Sequence, residues 1–355
     1  MSRIAVENVG DAQRDESLPS LTEALNPELA EEELGRRLSK QLPMESFALA
    51  RIAVLIHKPG RRCVIEYEAR CLNAGHWQPL TVIGKVRAKR FGNEGNRRQQ
   101  SLWDAGLDAE SPRGIFVSQP LGTVPRFRMW LQRKTPGQLA TQVLKGPDGP
   151  EVALRIAEAA ALLHTLELDI EAQHTMDKEL EILRSCLGHV CGTRPDLAHR
   201  VGEVMRACET VGRRLPAPAQ PRLIHRDFYA DQVIVCEQQS NSARLRRLCL
   251  LDFDLCCYGD PALDIGNFAG HLIEQSLREG DTHGWLDASR NAMERRFIER
   301  SQDATGPAVR TYTALTLARH IFLSTRFPLR RAFTEAILEE TERQLEAMIR
   351  EGACS

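Results

Sequence analysis

The chain has 355 residues, with 47 Lys and Arg against 48 Asp and Glu and a formal net charge of −1. That balance disfavours a basic nucleic-acid binder or a polybasic membrane binder, and 42% hydrophobic with 27% charged residues excludes a wholly disordered chain. The length suits two domains and a large buried core, and no apolar run approaches the ~18–20 residues a membrane helix needs.

In chain order, residues 1–18 are polar and unpatterned and read as a frayed tail. The opening MSRIAVENVGDAQRDE lacks a signal-peptide core and carries acids early, so a cytoplasmic protein is expected. NPELAEEELGRRLSK predicts a short helix over 26–40, with Asn26 as N-cap and Pro27 in the first helical position. ALARIAVLIHK and CVIEYEARC read as strands joined by a KPGRR turn, and LTVIGKVRAKR, which contains Lys85, as a third. NEGNRRQQSLWDAGL suits a helix of about three turns, and IFVSQPLGTVPRFRMWLQ supplies two more short strands.

TPGQLA, with Pro136 and Gly137, marks a connection, after which helical periodicity dominates. Helices are expected in GPEVALRIAEAAALLHTLEL, over 176–193 and 195–214, and through most of the last ninety residues. The charged C-terminal amphipath EAILEETERQLEAMIRE reads as a capping surface helix. Two short strands carrying acids interrupt the helical part. The ten cysteines contain no CxxC pair and no zinc spacing, so reduced, mostly buried thiols are expected; adjacent Cys256 and Cys257 are the place for a redox-sensitive alternative.

The chemistry concentrates in LIHRDFYADQVIV at 223–235 and LLDFDLCCYGDPALDIGNF at 250–268. Apolar residues there flank isolated acids, which presents carboxylates at strand ends where the backbone is rigid. Gln232 follows Asp227 by five residues, Asp252 follows it by 25, and Asp264 closes Gly-Asp-Pro-Ala-Leu-Asp.

These segments resemble the H-[GR]-D-x-x-x-x-N loop, D-x-D strand and G-D-P-x-x-D segment of the aminoglycoside phosphotransferase and choline kinase-like family, relatives of the protein kinases. The resemblance implies an α+β, bilobal protein-kinase-like fold. A five-stranded antiparallel sheet lobe with one helix (47–133) would follow an N-terminal tail and helix (1–46). A mainly helical lobe (134–355) would carry the catalytic loop and substrate site.

It also implies an ATP- and Mg²⁺-dependent kinase acting on a small-molecule hydroxyl, with no nucleic-acid or membrane partner. Asp227 would accept or orient the proton of the attacking hydroxyl, and Asp252 and Gln232 would hold Mg²⁺. Lys85 would reach the α/β-phosphates, Pro59, Gly60 and Arg61 would cover them, and the backbone around Leu131, Gln132 and Arg133 would meet the adenine. His225 and Asp264 would support the catalytic loop.

Three residue choices depart from the family pattern. Gln232 stands where the family usually has Asn and is one methylene longer. The phosphate loop has one glycine. The helix after Lys85 offers Glu94, Gln99, Gln100 and Asp104 as the lysine's partner without deciding among them. Together they motivate an alternative reading, a pseudokinase that binds nucleotide with little transfer.

Lys85 is one of seven lysines among forty arginines, which favours a specific ammonium role over a snorkelling one. A structural salt bridge is expected of Arg226, core packing of His164, and a solvated face of RFPLRRA at 326–332. From residue 265 onward 13 acids meet 12 arginines, with no acid excess to select a polycationic aminoglycoside. A sugar or amino-alcohol acceptor fits at least as well. The few residues between Asp252 and Asp264 leave no room for a protein kinase's long activation loop.

Overall fold

The protein has an α+β fold, sheet-rich in its N-terminal part and helical in its C-terminal part. The computed structural model describes residues 4–88, 94–239, 244–301 and 303–353, and the chain divides into units Met1–Pro136 and Gly137–Ser355.

The first unit runs β1 (Ala5–Glu7), α1 (Leu21–Ala24), α2 (Pro27–Leu38), β2 (Ser46–Lys58), β3 (Arg62–Asn73), β4 (His76–Arg87), α3 (Glu94–Asp104), β5 (Ile115–Val117), β6 (Pro120–Val124) and β7 (Met129–Arg133). Asn26 caps α2 through its side-chain oxygen, which accepts from Leu29 N at 3.0 Å, and Pro27 opens the helix. The sheet has six strands in the order β1-β2-β3-β4-β7-β6. This corrects the expected five antiparallel strands, because β1 adds an edge strand parallel to β2, with Ala5 opposite Arg51.

Alternation along the strands divides the two faces. Cys63, Ile65 and Tyr67 on β3, with Val82 and Val86 on β4, are buried in one apolar core. Residues read as a frayed tail join that core. Ala12 and Leu18 are buried, as are Leu21 and Leu25 just beyond, and Tyr67 donates its hydroxyl hydrogen to Ala24 O at 3.0 Å. Sparse apolar residues without helix or strand period reach the core one at a time as the segment winds over the sheet. Periodicity has nothing to register in such a wrap.

The same segment pins the β2–β3 turn. Gly60 adopts φ +68, and its N–H donates to Asp15 Oδ2 at 2.9 Å, as does His57 Nε2 at 2.9 Å; Ser17 N donates to Oδ1 at 3.0 Å. The Gly60 amide and the His57 hydrogen bond hold the Asp15 carboxyl below its ordinary value of 3.8. Asp15→Ala is therefore expected to lower unfolding free energy by about 1–3 kcal/mol at neutral pH. A carboxyl with a depressed folded pKa contributes stability above its unfolded value and loses it as pH falls through the folded one. The gap between parent and variant, read by urea unfolding, should be full at pH 6 and shrink below pH 3.8.

The second unit begins with β8 (Gln138–Leu139), α4 (Ala140–Val143), α5 (Gly149–Leu163), α6 (Met176–Thr193) and α7 (Ala198–Arg214). Then come β9 (Arg222–Ile224), β10 (Val233–Gln239), β11 (Arg244–Leu250) and β12 (Cys257–Gly259). It closes with α8 (Ala262–Glu279), α9 (Trp285–Arg300), α10 (Gly306–Arg326) and α11 (Thr334–Ala353). α8 and α10 approach backbone to backbone: a Cβ on Gly266 would lie 2.4 Å from Tyr312 Cβ and 2.9 Å from Thr313 N. α11 buries Ile337, Leu338 and Leu345 and packs on α7 and α10.

The nine cysteines among the described residues are reduced thiols, and Cys354 lies outside them. Burial pushes Cys63 and Cys236 up to about 12. Cys256 and Cys257 are both buried, which removes the accessible thiol that a redox-sensitive site needs. Among the described residues no helix is long and apolar enough to cross a membrane.

Candidate functional site

Two antiparallel pairings assemble the acid-bearing loops. β9 pairs with β12, Leu223 opposite Tyr258, so both acid-bearing loops are anchored at one short ladder. β10 pairs with β11, Val233 opposite Leu250. That register sets Gln232 across from Leu251, whose N–H donates to Gln232 O at 2.9 Å. Asp252 follows one residue on. Gln232 and Asp252 thus occupy adjoining loop positions at the mouth of one hairpin, and Asp227 precedes Gln232 on the same loop.

Asp264, in the first turn of α8, is wholly buried and is the centre of this assembly. Its Oδ1 accepts from Arg226 N at 2.7 Å, and its Oδ2 accepts from His225 N at 2.8 Å and His164 Nε2 at 2.9 Å. Arg226 sits at φ +69, a left-handed conformation unfavourable for any residue with a Cβ. The carboxylate bond to its amide offsets that strain and fixes the direction in which the next residue, Asp227, leaves the backbone. Asp227 is partly exposed, and its carboxylate makes no hydrogen bond with the described residues.

His225 ties this loop to the next one. Its Nε2 donates to Leu251 O at 2.7 Å, and its ring lies between Phe228 and Phe253 at centroid distances of 5.4 and 4.9 Å. Asp252 follows Leu251 at φ +57, a second left-handed residue. Further along the loop, Asn267 Nδ2 donates to Phe228 O at 2.9 Å, and Arg319 Nη2 donates to Asn267 Oδ1 at 2.6 Å. Asp260, just before α8, accepts from Ala262 N at 2.9 Å; burial pushes its carboxyl up despite that bond.

Three supporting residues were not singled out for this site in the sequence. His164 is buried, as core packing requires, but it also binds Asp264 across 100 residues of chain. Asn267 and Arg319 carry no local signal either, since their partners are set by helix packing. Arg226 makes no ion pair among the described residues, contrary to the expected salt bridge. Its charge acts instead on buried Glu179. Burial works to raise that carboxyl, but the His174 hydrogen bond and the Arg319 and Arg226 charges outweigh it and hold it below the usual range.

In the N-terminal unit, Lys85 lies on β4 between Val64 and Trp130, with its ammonium 5.1 Å from the Trp130 ring centroid. Its face is opposite the core face that carries Val86. Gly60 and Arg61 form the β2–β3 turn, with Arg61 N bonded to Lys58 O. Gln99 donates to Ser118 O and Gln100 to Asp104, so both amides are engaged along or beside α3, and Glu94 is exposed at its start.

Leu131, Gln132 and Arg133, expected to meet the adenine, lie on β7. β7 lies between β4 and β6, Leu131 faces both Gly84 and Gly122, and Gln132 faces both Ile83 and Pro120. Arg133 N donates to Gln119 O at 2.9 Å.

The donor set suits a hard divalent cation, since the Asp252 carboxylate and the Gln232 amide both offer oxygen. Among the described residues no group of three or more His, Cys, Asp or Glu converges as a cage. Magnesium, which is seldom caged by protein alone, fits such a two-oxygen site.

Over residues 97–298 the sequence matches the phosphotransferase enzyme family, APH, which is more than half of the chain. The chain belongs to this family. The phosphotransferase fold is shared with a choline/ethanolamine kinase family protein from Mesorhizobium loti, at 15% identity and TM-score 0.54, covering 92% of this chain and 94% of that one. It is shared also with a choline kinase from Cryptosporidium parvum, at 10% identity and TM-score 0.56, covering 92% and 97%. Choline kinase LicA from Streptococcus pneumoniae matches at 11% identity and TM-score 0.51, covering 90% and 99%. No curated protein matches the sequence. As a member of its family the protein is a small-molecule kinase.

Proposed function

We propose that the enzyme transfers the γ-phosphoryl group of ATP, with Mg²⁺, to a hydroxyl of a small sugar or amino alcohol. The observation that carries this reading is the three-donor clasp on Asp264, which fixes a strained backbone immediately before a partly exposed Asp227. Phosphoryl transfer asks the protein for in-line positioning and charge neutralisation rather than covalent work. Asp227 accepts the proton of the attacking hydroxyl and orients its oxygen. Asp252 and Gln232 hold the cation; when bound, Mg²⁺ neutralises phosphate charge. Lys85, a compact ammonium on a rigid strand, meets the phosphates. The Gly60 turn covers them, kept in shape by Asp15 rather than by a run of glycines.

Choline kinases among the structural neighbours favour an amino-alcohol acceptor, and the near balance of acids and arginines after residue 265 argues against a polycation. The test is Mg²⁺-dependent ATP turnover against a panel of sugars, amino alcohols and aminoglycosides. Turnover on sugars or amino alcohols is the expected outcome. Turnover on aminoglycosides alone overturns the acceptor class, and nucleotide binding without turnover on any acceptor overturns the reaction.

A further inference from the structure

Helix α8 has two working faces. Asp264, Asn267 and His271 recur at spacings of three and four and form the stripe that meets the catalytic loop, with His271 stacked on Tyr229 at 4.4 Å. Ile273 is two residues from His271, so it points about half a turn away at 3.6 residues per turn. That second face borders a pocket of about 450 Å³ lined by α8, α9, α10 and α11. Its volume falls within the range of small-molecule pockets, and nothing in the proposed transfer uses it.

The cavity has an apolar wall and a charged wall. Leu272, Ile273, Leu277 and Met348 supply the first. On the second, Arg343 is held by Glu340 at 2.6 Å, Arg310 by Glu351 at 3.6 Å, and Arg290 by Asp287 at 2.5 Å and by Glu294 at 3.2 Å. Three arginines therefore meet four carboxylates, so Asp287 and Glu294 share Arg290, and of the two Glu294 is the less exposed. Its side chain is only 21% exposed. Burial pushes its carboxyl up, and Arg290 only partly offsets this. A largely buried carboxylate that shares its arginine gains from another donor.

The geometry points to this cavity as a binding site for an amphiphilic amine, whose ammonium pairs with Glu294 while its alkyl body covers Leu272, Ile273, Leu277 and Met348. The site is separate from the transfer site because it uses the opposite face of α8. A carboxylate ligand of the same length is rejected, since it would add a fifth negative charge to the four present.

The test titrates the full chain with n-octylammonium and, separately, with octanoate by calorimetry at pH 7. Octylammonium is expected to bind one per chain with a dissociation constant below about 1 mM, and octanoate at least about tenfold more weakly. Glu294→Gln keeps a hydrogen-bonding side chain of the same shape and should weaken octylammonium about tenfold. Ala347→Phe, which fills the cavity without touching its charges, should abolish binding. Asp227→Ala should leave it unchanged. Equal binding of octanoate, an unaltered constant in both cavity variants, or loss of binding in Asp227→Ala overturns the proposal.

Discussion

Asp264→Ala is expected to cost about 3–5 kcal/mol of unfolding free energy and to abolish turnover in whatever folded protein remains. The carboxylate is wholly buried and accepts from two backbone amides and one imidazole. Alanine offers none of them an acceptor, and each stranded buried donor costs roughly 1–3 kcal/mol. Against a total stability of about 5–15 kcal/mol, that is enough to lower the urea midpoint sharply. Activity fails for a different reason. With Arg226 N released, nothing compensates its left-handed backbone, and the loop relaxes by a rotation that carries Asp227 with it. Asp264→Asn separates the two effects. It keeps the volume but presents an amide donor to an N–H, so it should fold better than alanine while still losing turnover. Full turnover in Asp264→Asn would refute the idea that this clasp aims Asp227.

Asp227→Asn should behave in the opposite way, with a normal melting temperature and a kcat reduced about 10²–10⁴-fold, the usual worth of a positioned general base. Its carboxylate is partly exposed and makes no hydrogen bond with the described residues, so the fold does not depend on it. The amide can still orient a hydroxyl but takes no proton from it at neutral pH. The KM for ATP should hardly change, because the residues assigned to the phosphates lie elsewhere. A loss of less than about tenfold would show that orientation alone accounts for the residue's role.

The catalytic loop was legible because its function is written in consecutive residues. His225, Arg226, Asp227 and Gln232 lie within eight positions, and the partners they need, Leu251 and Asp264, fall in a second short segment. The strands were legible for the same local reason, alternation at period two. What escaped depends on contacts between distant segments. β1 spans three residues, too few to show a period, and exists only because β2 offers an edge. His164 looks like any histidine on an apolar helix until Asp264 arrives beside it.

The N-terminal wrap also decides how the protein can be handled at the bench. Residues 1–18 read as a frayed tail in sequence, and trimming there is the usual step toward a smaller, better-behaved fragment. Cutting before Leu21 would remove an edge strand, take Ala12 and Leu18 out of the core, and leave the Gly60 amide without its acceptor. An affinity tag joined closely to residue 4 would strain the same segment. The opposite end is the safer place for a fusion, since the last turns of α11 carry exposed Arg350 and Glu351.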